Sequence, residues 1–166
     1  MATRATSGAG GPRRRDRLIR EREHDTYKSR GKLPDPTVCP ECEAVFRRGR
    51  WRWGTAAFDA PRTMCPACRR VADRYPAGYV EVRGRLLDAR RDEILHLIQN
   101  IEAREKSNHP LKRIIETEEG EDGIVVTTTD MHLARNIGQA LRRACQGTVN
   151  YEYTKEGNVL RVTWEG

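Results

Sequence analysis

Two Cys-x-x-Cys pairs constrain this sequence more than any other feature. Residues 39–42 read Cys-Pro-Glu-Cys, and residues 65–68 read Cys-Pro-Ala-Cys. Each pair forms a turn that brings two sulfurs within reach of one ion. Two such turns facing each other supply four thiolates at about 2.3 Å from a tetrahedral metal. Because four protein ligands leave no open position, the metal would stabilise the fold and take no part in chemistry. We therefore predict one structural Zn²⁺ ion with the ligands Cys39, Cys42, Cys65 and Cys68.

Other uses of the cysteines fit the sequence less well. A redox Cys-x-x-Cys is normally a single pair beside a βαβ pattern, and disulfides belong to oxidising compartments. The N-terminus lacks the apolar core of an export signal, and no run of eighteen apolar residues predicts a membrane span. We therefore expect reduced thiols, a cytoplasmic location and no membrane partner. The fifth cysteine, Cys145, falls in a helical pattern and is predicted to be a small buried apolar residue.

The positive charge lies in the first half of the chain. Residues 1–36 contain ten Lys and Arg against five Asp and Glu, and residues 37–80 contain eight against four. Residues 81–166 contain thirteen against fifteen, so the formal net charge of +7 belongs to the first half. Such an asymmetry favours a polyanionic partner, nucleic acid before membrane.

Residues 1–36 are predicted to be a basic arm. The segment begins Gly-rich and continues Arg-rich with few aliphatic residues, so it cannot bury a face of its own. We interpret it as disordered, or as ordered only on a phosphate backbone. A solvated linker without a binding role explains the composition equally well. The candidate phosphate contacts of the arm are Arg13, Arg14, Arg15, Arg17 and Arg20.

Residues 37–77 are predicted to form the zinc ribbon, with a β-hairpin between the two cysteine pairs. Arg and Trp alternate along residues 50–53, which suits a strand and is typical of nucleic-acid surfaces, where Arg contacts phosphate and Trp stacks on a base. Trp51 and Trp53 could instead cover the metal site, and we expect one of them to do so. The candidate contacts of the ribbon are Arg47, Arg48, Arg50, Trp51, Arg52, Trp53, Arg69 and Arg70.

Residues 78–166 are predicted to form a ferredoxin-like α+β domain. Alternating and helical patterns give the order β-α-β-β-α-β with one extra strand, and two helices would pack on one face of an antiparallel sheet. RNA-recognition modules share this topology, but their aromatic motif does not occur here. The predicted strands are 78–83, 111–117, 124–129, 148–154 and 158–164, and the predicted helices are 86–107 and 131–146.

A catalytic site is not expected. His96 and His109 lie mid-helix and in a Pro-bounded loop, whereas His132 follows the run Thr-Thr-Thr-Asp at residues 127–130. A cluster of this kind at a helix N-terminus could bind an anion, but its hydroxyls and Asp130 are more simply explained as helix caps. We therefore predict a non-enzymatic protein without a small-molecule substrate.

Three stretches together resemble the N-terminal region of the archaeal and eukaryotic large-ribosomal-subunit export adaptor family, nonsense-mediated mRNA decay protein three. They are residues 38–42 with 48–51, residues 65–68 running to 78–84, and residues 122–124 with 134–141. Short bacterial proteins that keep this block and little else are also similar. The resemblance implies that the four cysteines bind zinc and that the residue 50–53 hairpin contacts the ribosome.

The resemblance also implies a partner, the large ribosomal subunit or its rRNA. The family has further Cys-x-x-Cys pairs where this chain has the cysteine-free arm, and its later domains find no match after residue 147, so an export role is not expected. We expect a role in subunit assembly, quality control or ribosome inactivation. A zinc-ribbon DNA-binding regulator and a protein-interaction adaptor are the alternatives.

Overall fold

The computed structural model describes Tyr27, residues 31–154 and residues 158–166. The fold is α+β, with a four-cysteine module followed by a ferredoxin-like domain of sheet and helices. Within the described residues the elements are β1 (Thr37–Val38), β2 (Val45–Arg47), β3 (Arg50–Arg52), α1 (Pro66–Asp73), β4 (Gly78–Arg83), α2 (Arg85–Asn108), β5 (Ile114–Gly120), β6 (Gly123–Thr128), α3 (Met131–Cys145), β7 (Thr148–Tyr153) and β8 (Leu160–Glu165).

The first module is a three-stranded antiparallel sheet in the order β1-β2-β3, followed by α1. The β2–β3 hairpin is the predicted one, and it pairs Phe46 with Trp51 and Arg47 with Arg50. Its turn is tight, and Gly49 takes a φ of 79°, which glycine adopts without strain. The sequence did not predict α1. Pro66 opens this helix, where its missing N–H costs no hydrogen bond.

The second module is a five-stranded sheet in the order β5-β6-β4-β8-β7. Three of its pairs are antiparallel as predicted, but β4 and β8 are parallel, so the fully antiparallel sheet of the prediction is wrong at this pair. The last hairpin places β8, rather than β7, beside β4. Burial gives the reason, since Leu160 and Trp164 of β8 are fully buried whereas Tyr153 of β7 is 53% exposed.

Both helices pack on one face of this sheet and enclose one core with it. The core joins Ile94 and Ile98 of α2 to Ile137 of α3 and to Val80 and Val162 of the sheet. The apolar residues of α2 and α3 recur every three or four positions, so each helix directs one stripe inward. Cys145 is 3% exposed and belongs to this core, as expected.

The largest difference between a predicted and an observed strand boundary is at β5. We expected a strand at 111–117, but β5 covers Ile114–Gly120. The backbone of 111–113 is held in a loop instead, because the Thr129 hydroxyl donates to the Leu111 carbonyl at 2.6 Å and Lys112 N–H donates to the His109 carbonyl at 3.0 Å. This loop carries Arg113, which contacts the cysteine sulfurs.

In the part of the chain that the structure describes, none of the helices combines the length and apolar character needed to cross a membrane.

The contact of α3 with the sheet yields a test of the packing. A Cβ atom on Gly138 would lie 2.6 Å from Val162 Cγ1, which a stiff β-branched side chain cannot easily relieve. Ala normally stabilises a helix relative to Gly by about 0.5–1 kcal/mol. We expect the opposite here, with Gly138→Ala lowering the free energy of unfolding by about 1–3 kcal/mol in urea denaturation. Exposed Arg142→Ala is the control and should change it by less than about 0.5 kcal/mol. An equally stable Gly138→Ala protein would contradict the packing.

Candidate metal centre and basic surface

The four cysteine sulfurs of residues 39, 42, 65 and 68 meet at one point. All four Sγ atoms lie within 4.8 Å of one another. Two opposite edges of the cluster, Cys39–Cys68 and Cys42–Cys65, each measure 3.7 Å. A tetrahedron of sulfurs about 2.3 Å from a central metal has edges of about 3.8 Å, so these distances fit a metal ion. The cysteines are thus positioned to bind one metal ion, as predicted.

Backbone hydrogen bonds in the two Cys-x-x-Cys turns position the four sulfurs. Cys39 follows β1, and its N–H donates to the Ala44 carbonyl at 2.9 Å, which closes the first turn. Cys65 is the N-cap of α1, and its Sγ accepts from Cys68 N–H at 3.4 Å. Cys65 N–H in turn donates to Cys39 Sγ at 3.3 Å. The second turn is therefore the first turn of a helix, whose N-terminal amides favour negative charge on the sulfurs.

The cluster needs a cation to hold four thiolates. Burial alone would raise the pKa of Cys39, but the backbone amides of Cys65, Cys42 and Glu41 lower it to about 7. Burial raises the pKa values of Cys65 and Cys68. Deprotonated sulfurs this close repel one another, and a bound divalent ion removes that repulsion and deprotonates coordinating thiols.

Arg113 contacts the cysteine cluster from the second module. Its Nη2 atom lies 3.5 Å from Cys42 Sγ, 3.3 Å from Cys65 Sγ and 3.3 Å from Cys68 Sγ. The guanidinium therefore covers the triangle that these three sulfurs form. Four thiolates around a divalent ion carry a net charge of about −2, and Arg113 compensates part of it.

The loop before β5 holds Arg113 in place. The side-chain Nε of Arg113 donates to the Pro110 carbonyl at 2.9 Å, and the backbone N–H of Arg113 donates to the Thr129 hydroxyl at 2.9 Å. One residue further, Ile114 N–H donates to Glu102 of α2 at 2.7 Å. These bonds fix the backbone on both sides of Arg113, so its charge reaches the sulfurs in one defined position.

A second contact joins the two modules. The indole N–H of Trp53 donates to the Lys106 carbonyl of α2 at 2.6 Å. Trp53 remains 40% exposed. Trp51 is the tryptophan that packs against the cysteine cluster, and its ring lies 5.5 Å from that of Phe46. The expected division of roles between the two tryptophans is therefore present, with Trp51 as the covering residue.

The hairpin presents its arginines to solvent. Arg47, Arg48, Arg50 and Arg52 are all exposed, and only Arg47 uses its guanidinium within the described residues, on the Thr55 carbonyl at 3.0 Å. Arg69 on α1 is exposed as well. The described part of the predicted surface therefore includes five arginines that solvent reaches.

Arg70 departs from the prediction. It is 6% exposed, it donates to the Tyr75 carbonyl at 3.0 Å, and its guanidinium lies 4.5 Å from the centre of the Tyr27 ring. Neighbouring residues on a helix point about 100° apart, so Arg69 faces outward while Arg70 faces inward. Its guanidinium is therefore used within the fold, against Tyr75 and Tyr27, rather than presented to a phosphate group.

The predicted contacts in the arm, Arg13, Arg14, Arg15, Arg17 and Arg20, lie outside the described residues.

The Thr-Thr-Thr-Asp run before α3 is engaged in the fold. Asp130 is the N-cap and accepts from Leu133 N–H at 3.0 Å. The hydroxyl of Thr128 donates to the Asp130 carbonyl at 2.8 Å, and that of Thr129 binds the loop beside Arg113. His132 is exposed on the first turn of α3. The capping interpretation accounts for Asp130, whereas among the hydroxyls that of Thr129 positions the loop before β5.

Sequence reasoning missed Arg113 and the aromatic Phe58. Arg113 follows Lys112 after a proline, and no spacing motif connects it with cysteines 45 to 71 positions away. Phe58 is fully exposed in the loop after β3.

In comparisons with known proteins, no family model and no curated protein matches the chain. The proposed function therefore depends on the geometry of the site, the distribution of charge and the sequence resemblance.

The role of each ligand can be tested by metal content. We expect inductively coupled plasma mass spectrometry to find one divalent ion per chain. The Cys39→Ser variant should lose this ion, because one of its four ligands is removed. The helical circular dichroism of residues 78–166 should survive, because that module has its own core. Cys145→Ser is the matched control and should keep the metal. Loss of the whole helical signal in Cys39→Ser would contradict the independence of the second module.

The contact of Arg113 with the sulfurs predicts a graded effect on metal affinity. Outer groups that hydrogen-bond to ligands typically contribute 10–100-fold, so we expect Arg113→Ala to weaken Co²⁺ binding by about that factor in an absorbance titration. Arg113→Lys keeps the positive charge but lacks the planar guanidinium. Its Co²⁺ affinity should lie between those of the unmodified protein and Arg113→Ala. Exposed Arg135→Ala is the control. Unchanged affinity in Arg113→Ala would show that the guanidinium does not act on the metal.

Proposed function

We propose that the chain is a non-enzymatic zinc-ribbon protein that binds the large ribosomal subunit or its rRNA in the cytoplasm. The metal would be Zn²⁺, because four thiolates in a tetrahedron are its usual structural site. Cys39, Cys42, Cys65 and Cys68 would hold it. The ion supplies folding energy rather than chemistry, since all four of its positions would be filled by protein.

The exposed arginines of the β2–β3 hairpin carry the proposal. Arg47, Arg48, Arg50 and Arg52 face solvent on a short hairpin whose base is fixed by the cysteine turns. Guanidinium groups bind phosphate oxygens in a bidentate fashion, and half-exposed aromatic rings stack on bases. Together these groups supply the two kinds of contact that RNA-binding surfaces use.

The distribution of charge supports the same partner. The positive excess lies in residues 1–80, whereas residues 81–166 are slightly acidic, so the protein would approach a polyanion with its cysteine module first. The preference for the large subunit comes from the sequence resemblance. Assembly, quality control and inactivation of the ribosome are all roles that such a contact would serve.

Catalysis is not part of the proposal. The hydroxyls of Thr128 and Thr129 donate to backbone carbonyls, and Asp130 caps α3. Thr128, Thr129 and Asp130 therefore each have a structural role in the fold.

Sedimentation of cell lysate on sucrose gradients tests the function. We expect the protein to migrate with the large subunit or its precursors at low salt and to be released at high salt, because phosphate contacts weaken as salt rises. Replacing Arg50 and Arg52 by Glu should move it to the top at low salt. The same replacement of Arg142 and Arg143, exposed on α3, changes the charge equally and should have no effect.

Two outcomes would overturn this proposal. Migration of the unmodified protein at the top of the low-salt gradient would exclude a stable ribosomal contact. A footprint on duplex DNA in that case would favour the DNA-binding regulator instead. Equal migration of the two double variants would show that the hairpin is not the contact surface.

A further inference from the structure

A cavity of about 830 Å³ lies where the two modules meet. The β2–β3 hairpin forms one wall, the beginning of α1 a second, and the loop at residues 109–112 a third. The segment before β1 contributes the remaining side. Binding sites for small ligands typically measure about 300–1,000 Å³, so this cavity is large enough for a nucleotide unit.

Its inner surface is apolar and partly aromatic. Phe46 and Trp51 both line it, and both rings are only half-buried, so each keeps an uncovered part. Met64 and Leu111 also line the cavity, and both pack against the cysteine cluster. The floor is therefore held by the same contacts that hold the cysteines, and it offers rings on which a planar group can stack.

Cationic side chains surround this apolar floor. Lys32, Arg50 and Arg69 line the cavity, are exposed, and form no ion pair with any residue that the structure describes. The two carboxylates of the lining are already engaged, since Asp35 accepts from Arg48 N–H at 2.8 Å and Asp130 caps α3. A ligand with an apolar planar part and an anionic part would satisfy both regions of the cavity.

We propose that this cavity binds a splayed-out nucleotide of single-stranded RNA, with its base on Trp51 and Phe46 and its phosphates at Arg50 and Arg69. The inference rests on the proposed function and names the form of RNA that the protein takes. Bases of a duplex are stacked and cannot enter a concave site, whereas those of loops and bulges can.

The positive charge at the rim of the cavity disfavours the arm of this chain as its occupant. Residues 13–30 of the arm carry eight Lys and Arg against four Asp and Glu, so this segment would bring like charge to the rim. A second copy of this chain, with a net charge of +7, meets the same difficulty. An acidic peptide would satisfy the rim but would leave the aromatic floor without a planar partner.

Fluorescence anisotropy of the full chain with a labelled single-stranded RNA decamer tests the inference. The comparison oligomer has the same backbone with abasic sites, which keeps the phosphates and removes the bases. Stacking of one base contributes about tenfold in affinity, so the unmodified protein should bind the complete RNA about tenfold more tightly than the abasic one. In Trp51→Leu, which keeps an apolar side chain against the cysteines, this difference should disappear.

A rim variant provides a second readout if Trp51→Leu fails to fold. Arg69→Ala should weaken binding of both oligomers alike and lower the salt dependence by about one phosphate contact. Arg143→Ala, exposed on α3 outside the cavity, is the matched control and should leave both unchanged.

The outcomes separate the two proposals. Absence of RNA binding by the unmodified protein would overturn the cavity, and together with migration at the top of the low-salt gradient it would overturn the proposed function as well. Binding that is equal for complete and abasic RNA, or a base preference that survives in Trp51→Leu, would overturn the cavity alone. Displacement of the RNA by equimolar mononucleotide would show a nucleotide site in place of an RNA site, and displacement by polyglutamate alone would show an acidic-peptide site.

Discussion

The contact between Arg113 and three cysteine sulfurs is the interaction on which the arrangement of this protein depends. A half-buried guanidinium loses hydration, and it is stable there only beside negative charge. A metal site of four thiolates has the opposite requirement, since it retains negative charge after the metal is bound. Each module therefore supplies what the other lacks. The distances of 3.3–3.5 Å from Arg113 Nη2 to the sulfurs mean that the cysteine module cannot shift far without exposing both charges.

This contact also explains why several hydrogen bonds fix the loop before β5. Thr129, Pro110 and Glu102 each bind the backbone or side chain of residues 111–114. If residues 111–113 paired as a strand, the bonds that aim the guanidinium would be replaced by ladder bonds. β5 therefore begins at Ile114, after the loop that directs Arg113 toward the cysteine sulfurs.

Local patterns in the sequence predicted the parts of the fold that local physics decides. The cysteine spacing predicted the metal site, alternation predicted the hairpins, and helical periodicity predicted α2 and α3. The parallel β4–β8 pair was not predictable in this way, because β7 and β8 show the same alternation and only their burial distinguishes them. Arg70 was predicted at the surface and Arg113 was missed for a related reason. Their roles are set by residues distant in the chain, and a charged side chain carries no pattern that says whether it faces solvent.

The small size of the first core has a consequence for the surface. Its buried cluster consists of Cys39, Ala44, Cys65, Ala67 and Cys68. Two alanines and the cysteines bury little apolar area, and a module of this size normally depends on its aromatic residues or on a metal for stability. Since metal binding and Arg113 would supply that stability here, Phe46 and Trp51 need not be fully buried. A half-buried aromatic pair beside arginines that form no ion pair within the described residues is what a base-stacking surface requires. The cysteine site and the proposed RNA site therefore both follow from the small size of the first core.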